Sequence, residues 1–325
     1  MKAAVVTEPA TPPVCTEFPE PEIADGRQIV ELVAAGIHPV VRARISGSHY
    51  SSSGLWPVVP GIDAVARTDD GRLVYTGFAA PPWGTMAQRI AVPSGLGIEM
   101  PGDVDPLAVA AGANPGMSSW TPLTQRVAEL GDDGLGTVLV LGATGIAGRI
   151  AVDNAFALGA TRVVAAGRNT DALDGLRERH APRGDALVTV ALTGDDIAPL
   201  VAALDGRPPT TVVDFVWGPV AEAAFQALGH PSLAVDGYDV EHVEIGAGAG
   251  LEAAVPGALL RSRRYTLRGS GLGSTPPAQI MAAMPSFLAQ IASGTVHVPY
   301  RAYPLSQVGE AWAADQTVRA VVVPD

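Results

Sequence analysis

Apolar residues follow two different patterns along the chain. Over the first hundred residues, short apolar runs are separated by clusters of Gly, Pro, Asp and Ser, which is typical of strands joined by turns. We predict strands at residues 2–6, 28–34, 58–66, 72–76 and 89–92, arranged as a small irregular barrel. The pattern becomes helical from Pro106 to about Leu130, and we expect Pro115, Gly116 and Pro122 to interrupt that helix.

After residue 137 the pattern changes to alternating strands and helices. Residues 138–141 are apolar without polar alternation, as in a strand that is covered on both faces. Further strands are predicted at 163–166, 186–190, 211–215 and 242–245, with helices between them at 146–158, 171–180, 197–204 and 219–228. A strand at 265–269, helices at 281–293 and 307–314, and a closing strand at 320–323 complete the prediction. This order favours an α/β fold with a parallel sheet.

Composition limits the classes of function. The 325 residues suffice for about two domains, and 47% hydrophobic against 17% charged residues allow a large core. A net charge of −12 argues against nucleic-acid binding, which needs a basic surface. The N-terminus lacks a signal-peptide pattern, and no stretch approaches the roughly 18 apolar residues of a membrane span. We therefore expect a cytoplasmic protein with no membrane partner.

Cysteine and histidine usage bears on metal binding. Cys15 is the only cysteine, and the six histidines show no His-x-x-x-His spacing. Zinc sites in enzymes are built from several Cys, His or carboxylate ligands. We therefore expect no bound metal, and only ligands that lie far apart in the sequence would escape this argument.

Three glycines follow the predicted strand at 138–141. Gly142 allows a sharp turn, Gly145 leaves room for a pyrophosphate, and Gly148 lets the following helix pack close to the sheet. The start of that helix offers N–H groups and a positive dipole end to phosphates. The pattern predicts a dinucleotide site, whereas a glycine turn without a ligand is the alternative.

The end of the next strand indicates which dinucleotide binds. An NAD site places Asp or Glu about 20 residues further on, where it bonds the ribose 2′-hydroxyl. Here Gly167, Arg168 and Asn169 follow the strand, and Asp171 and Asp174 come later, on the expected solvated face of a helix. A guanidinium can bind a 2′-phosphate with two hydrogen bonds, so the sequence predicts NADP(H). The alternative is that Arg168 is an ordinary surface arginine.

Four segments of the first hundred residues resemble the medium-chain dehydrogenase/reductase superfamily, in its zinc-independent quinone and enoyl reductase branch. They are Ala-Gly-Ile-His-Pro at 35–39, Arg-Ile-Ser-Gly-Ser-His-Tyr at 44–50, Pro-Val-Val-Pro-Gly-Ile-Asp at 57–63 and Gly-Thr-Met-Ala-Gln at 84–88. The zinc-ligand and four-cysteine patterns of the alcohol dehydrogenase branch are absent from the sequence. The resemblance covers nearly the whole chain. It implies a GroES-like β-barrel catalytic domain at 1–116 and 277–325, a Rossmann NADP(H)-binding domain at 117–276, and a substrate site in the cleft between them.

The resemblance also implies further contacts to the cofactor. It places His38, where the family has Asn, near the cofactor together with Tyr50. With the glycine turn included, the predicted cofactor-binding residues are Ser118, Gly142, Ala143, Thr144, Gly145, Ile146, Gly148, Gly167, Arg168, Asn169, Phe215, Val216, Trp217, Gly246, Ala247, Gly269, Ser270 and Gly271. The chain departs from the family at His38 and in a longer segment at 230–241, whose role the sequence does not indicate.

A reductase without a metal must stabilise an oxyanion by hydrogen bonding and then find a proton. Tyr50 is the candidate donor, because a phenol can bond an oxyanion directly, although it could also be a residue that only packs. His38 and His49 could donate a proton near neutral pH, or act as hydrogen-bonded structural residues. Water is a further possible donor. Asp63 is expected to bond the backbone or a histidine.

Aromatic residues predict the substrate pocket. Trp56, Trp83 and Trp217 fall in loops that this architecture brings toward the cleft, and we assign them to the pocket together with His49. Such a pocket suits a flat or apolar small molecule, whereas simple core packing is the alternative.

The sequence thus predicts NADPH-dependent reduction of an activated double bond, in a quinone or an α,β-unsaturated carbonyl, by direct hydride transfer. The alternatives are a carbonyl or imine reductase of a biosynthetic pathway, and a cofactor-binding redox sensor with little turnover. The alternating run Arg-Tyr-Thr-Leu-Arg at 264–268 predicts an edge strand of the Rossmann sheet. Relatives often dimerise by joining such edges, so a homodimer is expected, with Thr266 as a ladder donor at its seam.

Overall fold

The computed structural model describes residues 1–102, 104–192, 196–234 and 239–325. Of the segment 230–241, residues 235–238 lie outside the described residues, so its role stays open. The chain divides into two compact units. The first consists of Met1–Pro115 with Met284–Asp325, and the second of Gly116–Ala283. Across the described ranges, no helix is both long enough and apolar enough to cross a bilayer.

The described elements follow one another as in an α/β protein with a strand-rich start. In chain order they are β1 (Lys2–Val5), β2 (Val14–Glu17), β3 (Arg27–Gly36), α1 (Pro39–Ser46), β4 (Asp63–Arg67), β5 (Leu73–Gly77), β6 (Arg89–Pro93), β7 (Ile98–Glu99), α2 (Pro106–Leu130), β8 (Thr137–Leu141), α3 (Ile146–Ala157), β9 (Arg162–Gly167), α4 (Thr170–Arg179), β10 (Leu187–Ala191), α5 (Ala198–Leu204), β11 (Thr211–Asp214), α6 (Gly218–Leu228), β12 (Val240–Glu244), α7 (Gly257–Ser262), β13 (Tyr265–Gly269), α8 (Pro277–Ala292), β14 (Tyr300–Pro304), α9 (Val308–Ala313) and β15 (Arg319–Val323). Short 3₁₀ turns lie at Gly131–Asp133, Ala181–Ala186 and Leu305–Gln307.

The first unit is built on a mixed sheet. Its strand order is β14-β15-β3-β4-β5-β7, β6 also pairs with β3, and β1 and β2 form a separate two-stranded sheet. Among the strand pairs that the structure describes in the larger sheet, only β14–β15 is parallel. Apolar side chains from the strands and from α9 form one buried core, which includes Val30, Leu32, Ile90, Val308 and Val322.

The second unit is built on a six-stranded parallel sheet. Its order is β10-β9-β8-β11-β12-β13, and every pair is parallel. Helices cover both faces, because two separate apolar cores lie against the sheet, one around Phe225 and the other around Phe156. The strand order reverses between β8 and β11, since the chain passes from β8 to β9 on one side and reaches β11 on the other. Ligands of such sheets bind outside the carboxyl ends of the strands at this reversal.

The structure corrects the prediction for α2. Pro115, Gly116 and Pro122 were expected to interrupt it, but one continuous helix runs over Pro106–Leu130. A proline inside a helix removes one hydrogen bond and costs about 3 kcal/mol. Many α2 side chains are buried along its whole length, Val109 and Leu123 completely, and each fully buried apolar side chain contributes roughly 1.5–3 kcal/mol. Their burial outweighs the two prolines.

One strand boundary and the role of one strand residue also need correction. The strand predicted at 58–66 begins only at Asp63, because Val58 forms just an isolated bridge to Val6. The strand at Tyr265–Gly269 is confirmed, and it lies at the sheet edge. The role given to Thr266 is wrong, however. The Val240 N–H bonds the Arg264 carbonyl, so the alternate residues of β13, Thr266 among them, direct their backbone groups inward to β12, and Leu267 directs its N–H outward.

Candidate functional site

The glycine turn after β8 has the predicted geometry. Gly142 has φ +84°, and the N–H groups of Gly142 and Ala143 both donate to the Ala166 carbonyl at 2.9 Å. A Cβ on Gly148 would lie 2.1 Å from the Gly142 oxygen and 2.7 Å from the Ala143 Cα. No side chain fits there, so the close packing of α3 on the turn depends on Gly148.

The end of β9 lies beside this turn. A Cβ on Gly167 would be 2.5 Å from the Thr144 Cγ2, so the two loops touch. The Asn169 side chain accepts from the Ala172 N–H at 3.0 Å and caps α4. The predicted surface position of Asp171 and Asp174 is confirmed, since both are exposed.

The charge of Arg168 is unpaired among the described residues. The side chain is exposed, and within the part of the chain that the structure describes it forms no hydrogen bond or ion pair. The nearest atom to a Cβ on Gly145 is 3.6 Å away, so the helix start is open. The amides of the first turn of α3 have no acceptor within the helix. Open amides and an unpaired guanidinium fit the two anionic groups of a 2′-phosphorylated dinucleotide, its pyrophosphate and its 2′-phosphate.

The loop after β11 packs on the same turn. A Cβ on Gly142 would meet the Val216 Cγ1 at 2.8 Å and the Phe215 Cβ at 3.4 Å. Asp214, which the sequence analysis did not single out, accepts from the N–H groups of Val216 (2.8 Å) and Trp217 (2.9 Å). Its only signal in the sequence is a carboxylate that ends an apolar strand.

Further predicted cofactor residues lie at the carboxyl ends of neighbouring strands. The N–H of Gly246 donates to the Asp214 carbonyl at 3.2 Å, and the N–H of Ser270 donates to the Glu244 carbonyl at 2.8 Å. Ala247 is exposed, Gly269 and Gly271 flank Ser270, and Ser118 lies half-buried on α2. Apart from Ser118, the predicted cofactor residues of the second unit thus lie at or after the carboxyl ends of β8, β9, β11, β12 and β13.

The predicted proton donors of the first unit differ in accessibility. Tyr50 is 74% exposed, and its ring lies 4.1 Å from that of His49. His49 Nδ1 is 2.8 Å from the Ser51 hydroxyl, and burial together with Arg44 lowers the pKa of His49. These two predicted residues are thus brought together.

His38 is placed quite differently. It is 1% exposed, and its Nε2 lies 3.5 Å from Asp63 Oδ1, so His38 is the histidine neighbour of Asp63, although these two atoms form no hydrogen bond. A Cβ on Gly36 would be 2.6 Å from the imidazole, which shows how tightly the ring is enclosed. Burial lowers the pKa of His38, and Asp63 opposes this shift. The Tyr75 hydroxyl donates to Asp63 Oδ2 at 2.8 Å, and burial raises the pKa of Tyr75.

Two of the predicted pocket tryptophans lie together. Trp56 and Trp83 line one small pocket of the first unit, which Arg44, Ser53 and Ile62 also line. Burial lowers the pKa of Arg44, which pairs with no carboxylate among the described residues. Trp56 also borders a wider, mostly apolar hollow of about 540 Å³. Trp217 belongs to the second unit.

Potential metal ligands do not cluster among the described residues. Within the described ranges, no three His, Cys, Asp or Glu side chains come together as a possible metal site. The absence of a bound metal therefore stays a prediction, to be tested by analysis of the purified protein.

Similarity to known proteins agrees with this geometry. No family model matches the chain. It is 29% identical, over the full length of both chains, to the probable NADPH-dependent quinone reductase tdiC of Emericella nidulans. Among solved structures, a mycobacterial quinone oxidoreductase shares 21% identity and a TM-score of 0.81 over both whole chains. The quinone oxidoreductase of Thermus thermophilus, also solved with NADPH, shares 25% identity and a TM-score of 0.76, covering 99% of this chain and all of that one.

These likenesses confirm the predicted fold class, an α/β fold with a Rossmann domain and a GroES-like domain. The resemblance stated from the segments at 35–39, 44–50, 57–63 and 84–88 is confirmed with it. Over its full length the chain is thus similar to proteins of the quinone oxidoreductase branch of the medium-chain dehydrogenase/reductase superfamily.

Proposed function

We propose that the chain is an NADPH-dependent oxidoreductase that reduces a quinone or an α,β-unsaturated carbonyl. The observation that carries its NADPH dependence is the unpaired Arg168 beside the glycine turn, and that turn follows β8 at the reversal of the strand order. NADPH dependence is supported further by the 29% identical quinone reductase, whose name states that cofactor. In the overall reaction, NADPH and one proton convert a quinone to its hydroquinone and leave NADP⁺.

Different residues of the second unit are proposed to contact different parts of the dinucleotide. Arg168 would bind the 2′-phosphate, and the first turn of α3 would bind the pyrophosphate. The loop of Phe215, Val216 and Trp217 would contact the nicotinamide end. Bound NADPH would supply the hydride, so the protein has only to orient the acceptor and stabilise its oxygen.

Tyr50 is the proposed hydrogen-bond and proton donor to the acceptor oxygen. Its exposed hydroxyl can approach a ligand, and the adjacent His49 can return a proton to it through water. His38 was predicted for the same task, but a side chain that is 1% exposed does not reach a ligand directly. We assign His38 to positioning α1, at whose start it lies.

The acceptor is proposed to lie against Trp56 and Trp83 and to extend into the wider hollow of about 540 Å³ that Trp56 borders, because the small pocket between the two rings has room for about one water molecule. Two indole rings suit a flat conjugated ring, and the half-buried Arg44 gives the pocket a positive charge. A quinone gains negative charge on oxygen as it is reduced, which a nearby cation stabilises.

We also propose that the protein is a homodimer joined along β13. This strand lies at the sheet edge, and unpaired backbone groups of an edge strand readily pair with a second copy. A two-fold arrangement of identical edges closes the assembly at two chains.

A panel of acceptors tests the proposal. The full chain is incubated with NADPH and with quinones, enones, simple ketones or imines, and NADPH oxidation is followed. We expect turnover with quinones or enones, and a kcat about tenfold or more lower for Tyr50→Phe, since this substitution removes the donor. Tyr300→Phe, which removes a tyrosine–aspartate bond of 2.6 Å to Asp105, is the matched control with unchanged kcat. Tight NADPH binding without turnover on any acceptor would favour a redox sensor and contradict the proposal.

A further inference from the structure

Three polar side chains form a buried line across the second unit. They lie on the neighbouring strands β11, β12 and β13. Asp214 Oδ2 is 3.0 Å from His242 Nε2, and His242 Nδ1 is 2.5 Å from the Tyr265 hydroxyl. Asp214 and His242 are both completely buried. Buried polar groups in such a line must all be satisfied, because each unpaired one would be costly.

The directions of the two hydrogen bonds follow from the chemistry of Tyr265 and Asp214. Burial, together with the charge of Asp214, raises the pKa of Tyr265 far above its usual value, so its hydroxyl keeps its proton. The Asp214 carboxylate only accepts, so a neutral His242 directs its N–H to it and leaves Nδ1 to accept from that hydroxyl. His242 then carries its proton on Nε2 and donates it to Asp214. Tyr265 thereby fixes the tautomer of His242, and His242 fixes the orientation of the Asp214 carboxylate.

The other oxygen of that carboxylate holds a strained loop. Asp214 Oδ1 accepts from the N–H groups of Val216 and Trp217, and Trp217 has φ +50° and ψ −158°. L side chains rarely adopt this backbone conformation, so surrounding contacts must hold it. The ring of Trp217 also stands edge-on to that of His242, at 6.1 Å and 89°.

The loop is held from its other side as well. Gly248 donates to the Phe215 carbonyl at 3.3 Å, and Ala249 donates to the Val216 carbonyl at 2.6 Å. Val216 in turn packs on Gly142 of the glycine turn. Any movement of the loop would therefore reach the turn on which the dinucleotide is proposed to lie.

We propose that Asp214, His242 and Tyr265 are positioning residues that hold the Phe215–Trp217 loop in the shape that receives the nicotinamide end of the dinucleotide. This inference rests on the proposed NADPH dependence. None of the three residues needs to touch the dinucleotide. They act through the loop, and so they affect the end of the ligand that NADPH and NADH share.

A second histidine–aspartate pair in the same unit provides a matched control. His180 Nε2 lies 3.1 Å from Asp153 Oδ1, and both side chains are largely buried. Asp153 is on α3 about two turns beyond the glycine turn, and His180 follows the far end of α4. Both pairs place a histidine nitrogen against a buried carboxylate, although Asp153 takes its hydrogen bonds from Arg179, and they lie in different neighbourhoods. Comparing them therefore separates a positioning role at the loop from a general loss of stability.

The experiment compares full-length wild type with His242→Leu, His242→Gln and His180→Leu. Dissociation constants for NADPH and NADH are measured by protein fluorescence, and thermal melting reports stability. His242→Leu should weaken both dinucleotides by about tenfold, the effect of one hydrogen bond to a charged group, with an unchanged NADPH-to-NADH ratio. His242→Gln keeps an N–H for Asp214 and should restore most of the affinity. His180→Leu should lower the melting temperature without weakening either dinucleotide.

Hydrogen exchange without dinucleotide gives a second readout. Peptides covering residues 214–218 should exchange faster in His242→Leu and at the wild-type rate in His180→Leu. Should His242→Leu fail to fold, Tyr265→Phe removes only the outer hydroxyl. It should still speed that exchange and weaken both dinucleotides about threefold, within the range of a neutral hydrogen bond.

The outcomes separate the two proposals. Wild-type affinity and exchange in both His242→Leu and Tyr265→Phe would overturn the positioning role, and so would an equal loss of affinity in His180→Leu. A wild-type protein that binds neither dinucleotide would refute the proposed function, and the positioning role with it. A change confined to NADPH would place the effect at the 2′-phosphate and would also contradict the inference.

Discussion

Replacement of Arg168 by Ala tests the choice of dinucleotide most directly. The guanidinium is exposed and has no partner among the described residues. Its removal therefore breaks no contact of the folded protein, and we expect stability to change by no more than about 0.5 kcal/mol. Any large effect on NADPH binding then reports a contact made only with the ligand.

The size of that effect follows from the exposure of the side chain. A hydrogen bond to a charged group contributes roughly 1.5–3 kcal/mol, and solvent screening of an exposed cation favours the lower part of this range. A loss of about 1.5–2 kcal/mol weakens NADPH binding roughly 10- to 30-fold. NADH lacks the 2′-phosphate, so its affinity should stay nearly the same.

Fluorescence titration of wild type and variant with both dinucleotides measures this difference. Arg177→Ala is the control, because it removes the same charge from an exposed position on α4, where Arg177 pairs with Asp174. It should leave both affinities unchanged. An equal loss for NADH, an unchanged NADPH affinity in Arg168→Ala, or an effect of Arg177→Ala as large as that of Arg168→Ala would refute the argument.

Three further predictions concern the turn, metals and assembly. Gly148→Ala should lower the free energy of unfolding by about 1–3 kcal/mol and weaken NADPH binding, because its Cβ would lie 2.1 Å from the Gly142 oxygen. The control is Gly175→Ala, whose Cβ would have nothing within 4 Å, and it should change neither the melting temperature nor the affinity measured by titration. Chelation should leave activity unchanged, and stoichiometric zinc by metal analysis would contradict this. Light scattering should give a dimer at micromolar concentration that Leu267→Pro dissociates, since this N–H faces outward; a monomeric wild type or a surviving dimer would oppose it.

The parallel sheet could be predicted because its signals are local. Apolar runs such as 138–141 need no alternation when both faces are covered, and Gly142 and Gly148 mark the turn by spacing alone. Helix α2 shows the limit of local reasoning. Pro115 and Pro122 carry a strong helix-breaking signal, and only burial of the surrounding side chains, which the sequence does not reveal, overrides it.

The candidate site likewise contains some features that local sequence signals indicate and others that depend on tertiary structure. The exposed place of Arg168 after β9 could be predicted, since it depends only on the end of a strand, whereas its contact with a 2′-phosphate stays a prediction. Asp214, His242 and Tyr265 come from three strands, and each alone is a single polar residue without a motif. The inward direction of the Thr266 N–H depends on the register of β13 on β12, which no residue type indicates.

The backbone of Trp217 has a consequence for protein engineering. A residue at φ +50° and ψ −158° lies in a region that glycine occupies freely, and a non-glycine residue there gives up about 1–3 kcal/mol. Replacing Trp217 by glycine would remove this strain but also the ring contacts with Phe225 and His242. If those contacts contribute less free energy than the strain costs, a selection for thermal stability alone would favour glycine at this position. Such a variant could gain in melting temperature while its loop loses the indole, so stability screens of this chain should be paired with a dinucleotide-binding screen.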